Sequence, residues 1–246
     1  MGEELMKVSI IITTLNSHEV VRRQLAYLNN MPLPEGVELV LIDDGSTPPI
    51  EIGECNFPII FHRTNDFRPW TQAIARMDGV NMSNGDKLLC VDIDHIVTKK
   101  LVLFVRDTDY DFIKFKRRLA VLDENGILRA DVPSVLDYGV PAQRIERRGL
   151  HICPPGNCYA MSRSVFLKLS ESKNYTIRLQ HQVGRLIKKT GVGSICPGDK
   201  RPLIYAIPNG RHCGDLDANP FGLFHGLSRG MERYTNDLWI ESRGDL

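Results

Sequence analysis

The sequence predicts an α/β fold, with a mostly parallel central sheet and helices on both faces. Three observations predict it. Short apolar runs at 8–12, 37–42, 58–61 and 88–91 alternate with segments of helical periodicity. The runs are apolar almost throughout, as strands are when both faces are covered. Each run ends in a polar cluster, at 13–17, 43–47, 62–68 and 92–95. Open α/β sheets bind their ligands at such strand ends.

The elements follow in order. Val8-Ser9-Ile10-Ile11-Ile12 is β-branched and apolar, a buried strand. Asn16 or Ser17 stands where a helix cap belongs, and Glu19 suits the positive end of the helix dipole. Val21, Leu25 and Leu28 then share a helical face, and Pro32 and Pro34 stop the helix before a turn at Gly36. A second strand runs to Asp43-Asp44-Gly45-Ser46-Thr47, and a third to His62-Arg63-Thr64-Asn65. A helix from about 70 to 80 leads through Gly85-Asp86 to the fourth strand.

That fourth run, Leu88-Leu89-Cys90-Val91, stops abruptly at Asp92-Ile93-Asp94-His95. In extended backbone alternate side chains point the same way, which sets Asp92 and Asp94 side by side. Two like charges held together are costly unless a cation lies between them. The simplest cation is a divalent metal with oxygen ligands, of the kind that also holds a diphosphate. The alternative is a strand that merely ends in polar residues. Asp43 or Asp44 likewise suits a turn cap, since Asp-Gly favours turns.

Composition narrows the class. The chain has 246 residues, 42% of them apolar and 25% charged, with a formal net charge of +1. That is an ordinary balance for a soluble globular domain, and it disfavours a partner bound by charge over the whole surface. No apolar run approaches the length of a membrane span. Met1-Gly2-Glu3-Glu4 is acidic where a secretion signal is basic, and Met6 breaks a myristoylation motif. The six cysteines lack C-x-x-C and zinc spacing, and Cys90 reads as a core residue. The expectation is a cytoplasmic protein with reduced thiols. Neither G-x-G-x-x-G nor G-x-x-x-x-G-K-[ST] is present, which excludes an ordinary dinucleotide fold and a P-loop.

Four blocks carry a more specific signal. They are 8–16, Leu41-Ile42-Asp43-Asp44-Gly45-Ser46, Ala75-Arg76-Met77-Asp78-Gly79-Val80 with Ser83-Asn84-Gly85-Asp86, and Val91-Asp92-Ile93-Asp94. In this order, across residues 7–100, they resemble a family 2 glycosyltransferase of the GT-A fold, the nucleotide-diphospho-sugar transferase fold. The resemblance implies a nucleotide-sugar-binding half over 1–100 and an acceptor-binding half over 101–246 of the same domain. It implies that Thr13, Thr14 and Asn16 line the nucleotide base and that Asp44 bonds the base edge. Arg76 lies near the nucleotide pocket, Asp92 faces the ribose or metal, and Asp94 binds the Mn²⁺ or Mg²⁺ that bridges the diphosphate. Met77 and Arg68-Pro69-Trp70 depart from the family pattern. Arg76 equally suits a solvated helix face, and Trp70 a core position.

The second half is less regular. Residues 111–118 alternate and then turn basic; 119–122 and 127–130 flank the turn Asp123-Glu124-Asn125-Gly126 as a hairpin. Residues 131–150 read as an irregular excursion. The segment 153–163 resembles the family's acceptor-side loop, strand and Ser-Arg. Leu179, Val183, Leu186 and Ile187 share a helical face that Gly191 ends. The family carries an acidic pair there that deprotonates the acceptor; this chain has Gln180-His181-Gln182. A neutral His181 suits a general base, since its unperturbed pKa is about 6.5. Glu171, Asp199, Asp215 and Asp217 are the other candidates. The family's late histidine corresponds to His225, or else His212, as a third metal ligand. Arg211 or Arg229 suits the departing diphosphate.

Together these imply a metal-dependent glycosyltransferase with a DXD motif and a nucleotide-sugar donor, UDP-linked, acting with inversion. The acceptor is a glycan, a lipid-linked sugar, a protein or a hydroxylated base in DNA. The basic clusters Lys114, Lys116, Arg117, Arg118 and Arg144, Arg147, Arg148 suit the last. The readings from other classes are a nucleotidyltransferase, which lacks its Gly-rich loop here, and a non-catalytic binder of nucleotide sugars.

Overall fold

The structure, a computed structural model, describes residues 8–66, 72–93, 95–119, 121–122, 125–129, 158–170, 194 and 203–206. Along the chain run β1 (Val8–Thr14), α1 (His18–Asn30), β2 (Val37–Asp43), β3 (Ile59–Arg63), α2 (Gln72–Met82) and β4 (Lys87–Asp92). Then follow β5 (His95–Ile96), α3 (Lys99–Arg106), β6 (Phe112–Lys114), β7 (Lys116–Leu119), β8 (Val121–Leu122) and β9 (Leu128–Arg129). The last described elements are β10 (Cys158–Ser162), α4 (Arg163–Ser170) and β11 (Leu203–Ala206).

The main sheet has the order β3-β2-β1-β4-β10-β6. Its first four strands are mutually parallel, while β10 runs antiparallel to both β4 and β6. A second sheet orders β5-β11-β7, and β8 pairs antiparallel with β9 as the expected hairpin. The expected alternation of 111–118 is split. Phe112, Ile113 and Lys114 join the main sheet, and the strand after buried Phe115 joins the second.

The pleat sorts the core into two layers. Ile10, Ile12, Leu39, Leu41, Leu89 and Val91 face one side, against Val21, Leu25 and Leu28 of α1 and Leu101, Val102 and Val105 of α3. Ile11, Val40, Ile42, Leu88 and Cys90 face the other, against Ala75 and Val80 of α2 and Phe166 and Leu169 of α4. Each Val, Leu, Ile or Phe among them contributes about 1.5–3 kcal/mol relative to exposure. Cys90 is a core residue as expected, and burial pushes its thiol up to about 11.

Three local devices place the helices. A Cβ on Gly79 would stand 2.9 Å from Ile11 Cγ2 and 3.2 Å from Ile42 Cγ1, so this glycine lets α2 lie close on the sheet. The C-terminal end of α2 is capped from far along the chain. Arg163 donates to the carbonyls of Val80 (2.8 Å), Gly85 (2.8 Å) and Ser83 (2.9 Å) and to Ser83 Oγ (2.7 Å). The Val80 carbonyl lies in the last turn of α2, where intrahelical partners run out, and Ser83 and Gly85 lie in the loop that follows. Third, Ser9 Oγ donates to Glu38 Oε1 at 2.6 Å and accepts from the Gly85 amide at 2.7 Å. Asn84 adds its amide and side chain to the same carboxylate. Burial opposes ionisation of Glu38, but the Ser9 and Asn84 hydrogen bonds hold its pKa below the usual value.

One expected cap is not made. Ser17 stands at the N-cap of α1, yet its hydroxyl donates back to the Leu15 carbonyl at 2.9 Å. Asn16 is also used elsewhere, as described next.

Candidate functional site

The strand register assembles the site. Thr13 pairs with Asp92, Thr14 with Asp43, and Asp43 with Arg63. Parallel neighbours lie about 4.8 Å apart, so four strand ends form one continuous polar edge. Alternation then divides it. Thr13 and Asp92 follow Ile11 and Cys90 onto the α2 face, while Thr14 and Asp43 follow Ile12 and Leu41 onto the α1 face. Both threonine hydroxyls are buried, and among the described residues neither has a hydrogen-bond partner. Such groups are costly to leave unpaired, about 1–3 kcal/mol each.

The two acids after β2 have separate tasks. Asp43 is fully buried and accepts from the Ser46 amide (2.9 Å) and the Ile50 amide (3.1 Å), with Arg63 Nε at 3.7 Å. It is the turn cap. Asp44 donates its own amide to the Thr14 carbonyl at 2.8 Å, and its carboxylate accepts from Thr64 Oγ1 at 3.2 Å. Asn16, at φ 49, ties its loop to this one. Its amide donates to Ser46 Oγ (2.8 Å), and its side-chain carbonyl accepts from the Thr47 amide (2.7 Å). His18 meets the Pro48 carbonyl at 2.9 Å. The first two strand-end loops are thereby joined into one rim.

The acid after β4 already has a cation. Arg76 Nη2 lies 2.9 Å from Asp92 Oδ1, with the arginine side chain 2% exposed and the aspartate 15%. Gln72, one turn earlier on the same helical face, donates to the same oxygen at 2.7 Å. Arg76 also lies 5.7 Å from the centre of the Tyr159 ring, a cation–π distance. Burial penalises its charge, yet Tyr159 and Asp92 raise its pKa above the ordinary arginine value. Arg76 is therefore no solvated helix residue. β4 ends at Asp92, and Ile93 lies in a turn. Asp94 lies outside the described residues, as do Arg68-Pro69-Trp70, His181, His212 and His225. Among the described residues no three potential ligands gather around one point. The carboxylate of Asp92 supplies oxygen of the hard type that Mn²⁺ or Mg²⁺ takes.

Sequence reasoning passed over two contributors, Gln24 and Gln72. Gln24 left a signal, since it is a polar residue inside the apolar stripe of α1 and is only 3% exposed. Gln72 left one too, four residues before Arg76. Thr64 stands in the polar cluster after the third strand, but nothing in the sequence pairs it with Asp44 in a different loop.

A parallel sheet with acids at its strand ends, helices on both faces and an antiparallel strand beyond β4 defines the class. The pattern of Glycosyl transferase family 2 matches residues 9–169, and the chain belongs to that family. Among curated proteins it is similar to the uncharacterized glycosyltransferase YfnE of Bacillus subtilis (strain 168), 33% identical over 101 residues. That match covers 39% of this chain and 25% of the relative. Among solved structures it resembles S. aureus TarS 1-349, with a TM-score of 0.51 at 15% identity over 82% of this chain and 60% of that one. It equally resembles the mannosyltransferase PcManGT of Pyrobaculum calidifontis in complex with GDP-Man and Mn²⁺, with a TM-score of 0.51 at 14% identity over 82% of this chain and 57% of that one. The expected GT-A fold is met. The chain spans under two thirds of each of these relatives. Among the described residues no helix is long and apolar enough to cross a membrane.

Proposed function

We propose that this chain transfers a sugar from a UDP-linked donor to an acceptor hydroxyl, with inversion and with help from Mn²⁺ or Mg²⁺. One observation carries the reading. Thr13, Asp44, Arg76 and Asp92, which sit in the family's nucleotide-binding blocks, converge on one strand-end edge. The acceptor-only carboxylate of Asp44, steadied by Thr64, suits the N–H edge of a base. The fold it shares with a protein that holds GDP-Man and Mn²⁺ supports a nucleotide sugar in this position.

The Arg76–Asp92 pair is nearly self-compensating, so a diphosphate meets less repulsion there than two bare acids would impose. A divalent cation would be held by Asp92, Asp94 and His225, and would neutralise the diphosphate leaving group. His181 is proposed as the base that takes the acceptor proton. The acceptor is a glycan, a lipid-linked sugar, a protein or a modified nucleic acid, and the compartment is the cytoplasm. Incubating the purified chain with UDP-sugars, Mn²⁺ and an acceptor panel tests the reading. UDP release together with glycosylated acceptor is the expected result. Absence of transfer with every donor points to a binder instead.

A further inference from the structure

Gln24 occupies an unusual place. It lies on α1 between Val20, Val21 and Leu28, side chains of the core layer, and is 3% exposed. Its side-chain nitrogen donates both hydrogens, to the carbonyls of Ile93 at 2.9 Å and His95 at 3.1 Å. Ile93 lies in the turn just after Asp92 at the end of β4, and His95 opens β5 in the second sheet, so the two carbonyls bracket the passage between the strands. A primary amide fixes its two N–H groups in a planar fork. One side chain therefore sets both the distance and the orientation of this turn relative to α1. The same helix starts just past Thr13 and Thr14, so the tie couples the first strand-end loop to the fourth.

A residue that served only to fill the core would be apolar here, as its neighbours are. We infer that Gln24 is a positioning residue: it holds the turn after Asp92 in the arrangement that receives the cation and diphosphate. The inference rests on the nucleotide-sugar reading above. It requires that losing the two donors weaken the cation-dependent part of nucleotide binding, while leaving the cation-free part intact.

The test is calorimetric titration of the full chain with UDP, with Mn²⁺ and with chelator. Gln24→Met keeps the volume and removes both donors. The expected result is a loss of about tenfold in the Mn²⁺-dependent gain in affinity, the scale of a residue that orients metal ligands. UDP affinity in chelator stays the same. Val105→Ala, a core truncation in α3 away from the turn, lowers the melting temperature but keeps the Mn²⁺-dependent gain. If Gln24→Met does not fold, Gln24→Asn retains the amide but shortens its reach, and is read the same way. A wild-type gain that survives unchanged in the Gln24 variant overturns the inference alone. A wild type with no Mn²⁺-dependent gain overturns it together with the cation reading.

Discussion

Removing either member of the Arg76–Asp92 pair should destabilise the fold, and removing Asp92 should cost more. At 2.9 Å, in surroundings with an effective dielectric of about 20, the two charges attract by about 6 kcal/mol before desolvation is subtracted. Breaking a buried pair costs about 3–5 kcal/mol, because the survivor is left uncompensated. The survivors differ here. After Asp92→Asn the guanidinium, 2% exposed, keeps its charge without its counter-charge. After Arg76→Met the carboxylate, 15% exposed, still accepts from Gln72 and recovers part of its hydration. The expected losses are about 3–5 kcal/mol for Asp92→Asn and about 2–3 kcal/mol for Arg76→Met. The double variant should fall short of the sum by about 2 kcal/mol, since the partners act as a unit. Urea unfolding followed by circular dichroism measures all four proteins, with an unchanged m-value marking a true stability difference. Additive losses, or a smaller loss for Asp92→Asn, would refute the reasoning that burial of the arginine sets the balance.

Two further outcomes follow from the devices that place α2. Glu38 has a folded pKa below the ordinary glutamate value, so its stabilisation is complete above that ordinary value and is lost as the pH falls through the folded pKa. Urea midpoints measured from about pH 6 down to about pH 3 should therefore fall less steeply for Glu38→Gln than for wild type; parallel curves would contradict this. Arg163→Met should cost about 2–4 kcal/mol, because it leaves the carbonyls of Val80, Ser83 and Gly85 without their shared charged donor. A change in urea midpoint within experimental error would show that water replaces it freely.

Much of the fold was legible because its signals are local. The β-branched runs, the stop at Pro32 and Pro34 and the turn residues of the hairpin each name their element without help from the rest of the chain. The antiparallel insertion of β10 beside β4 was not legible, since no local pattern in Cys158–Ser162 reports which edge it joins. At the site, the strand ends were found from the apolar-to-polar transitions, and the separation of Asp43 from Asp44 was left open. Only the Ser46 and Ile50 amides decide which acid caps the turn. Beside Asp92 stands a cationic side chain, Arg76, that the like-charge argument for a metal does not foresee. Arg76 reaches Asp92 through the close packing that Gly79 permits, a contact with no signature in spacing.

The most direct test of the central claim, that the strand-end edge binds a uridine nucleotide through Asp44, is a calorimetric titration of UDP into wild type and Asp44→Asn. The amide puts donors where the carboxylate presents only acceptors to the base. Binding by wild type, weakened by tenfold or more in a variant that keeps its melting temperature, is the expected result. No UDP binding by wild type, or equal affinity in both proteins, would contradict the account.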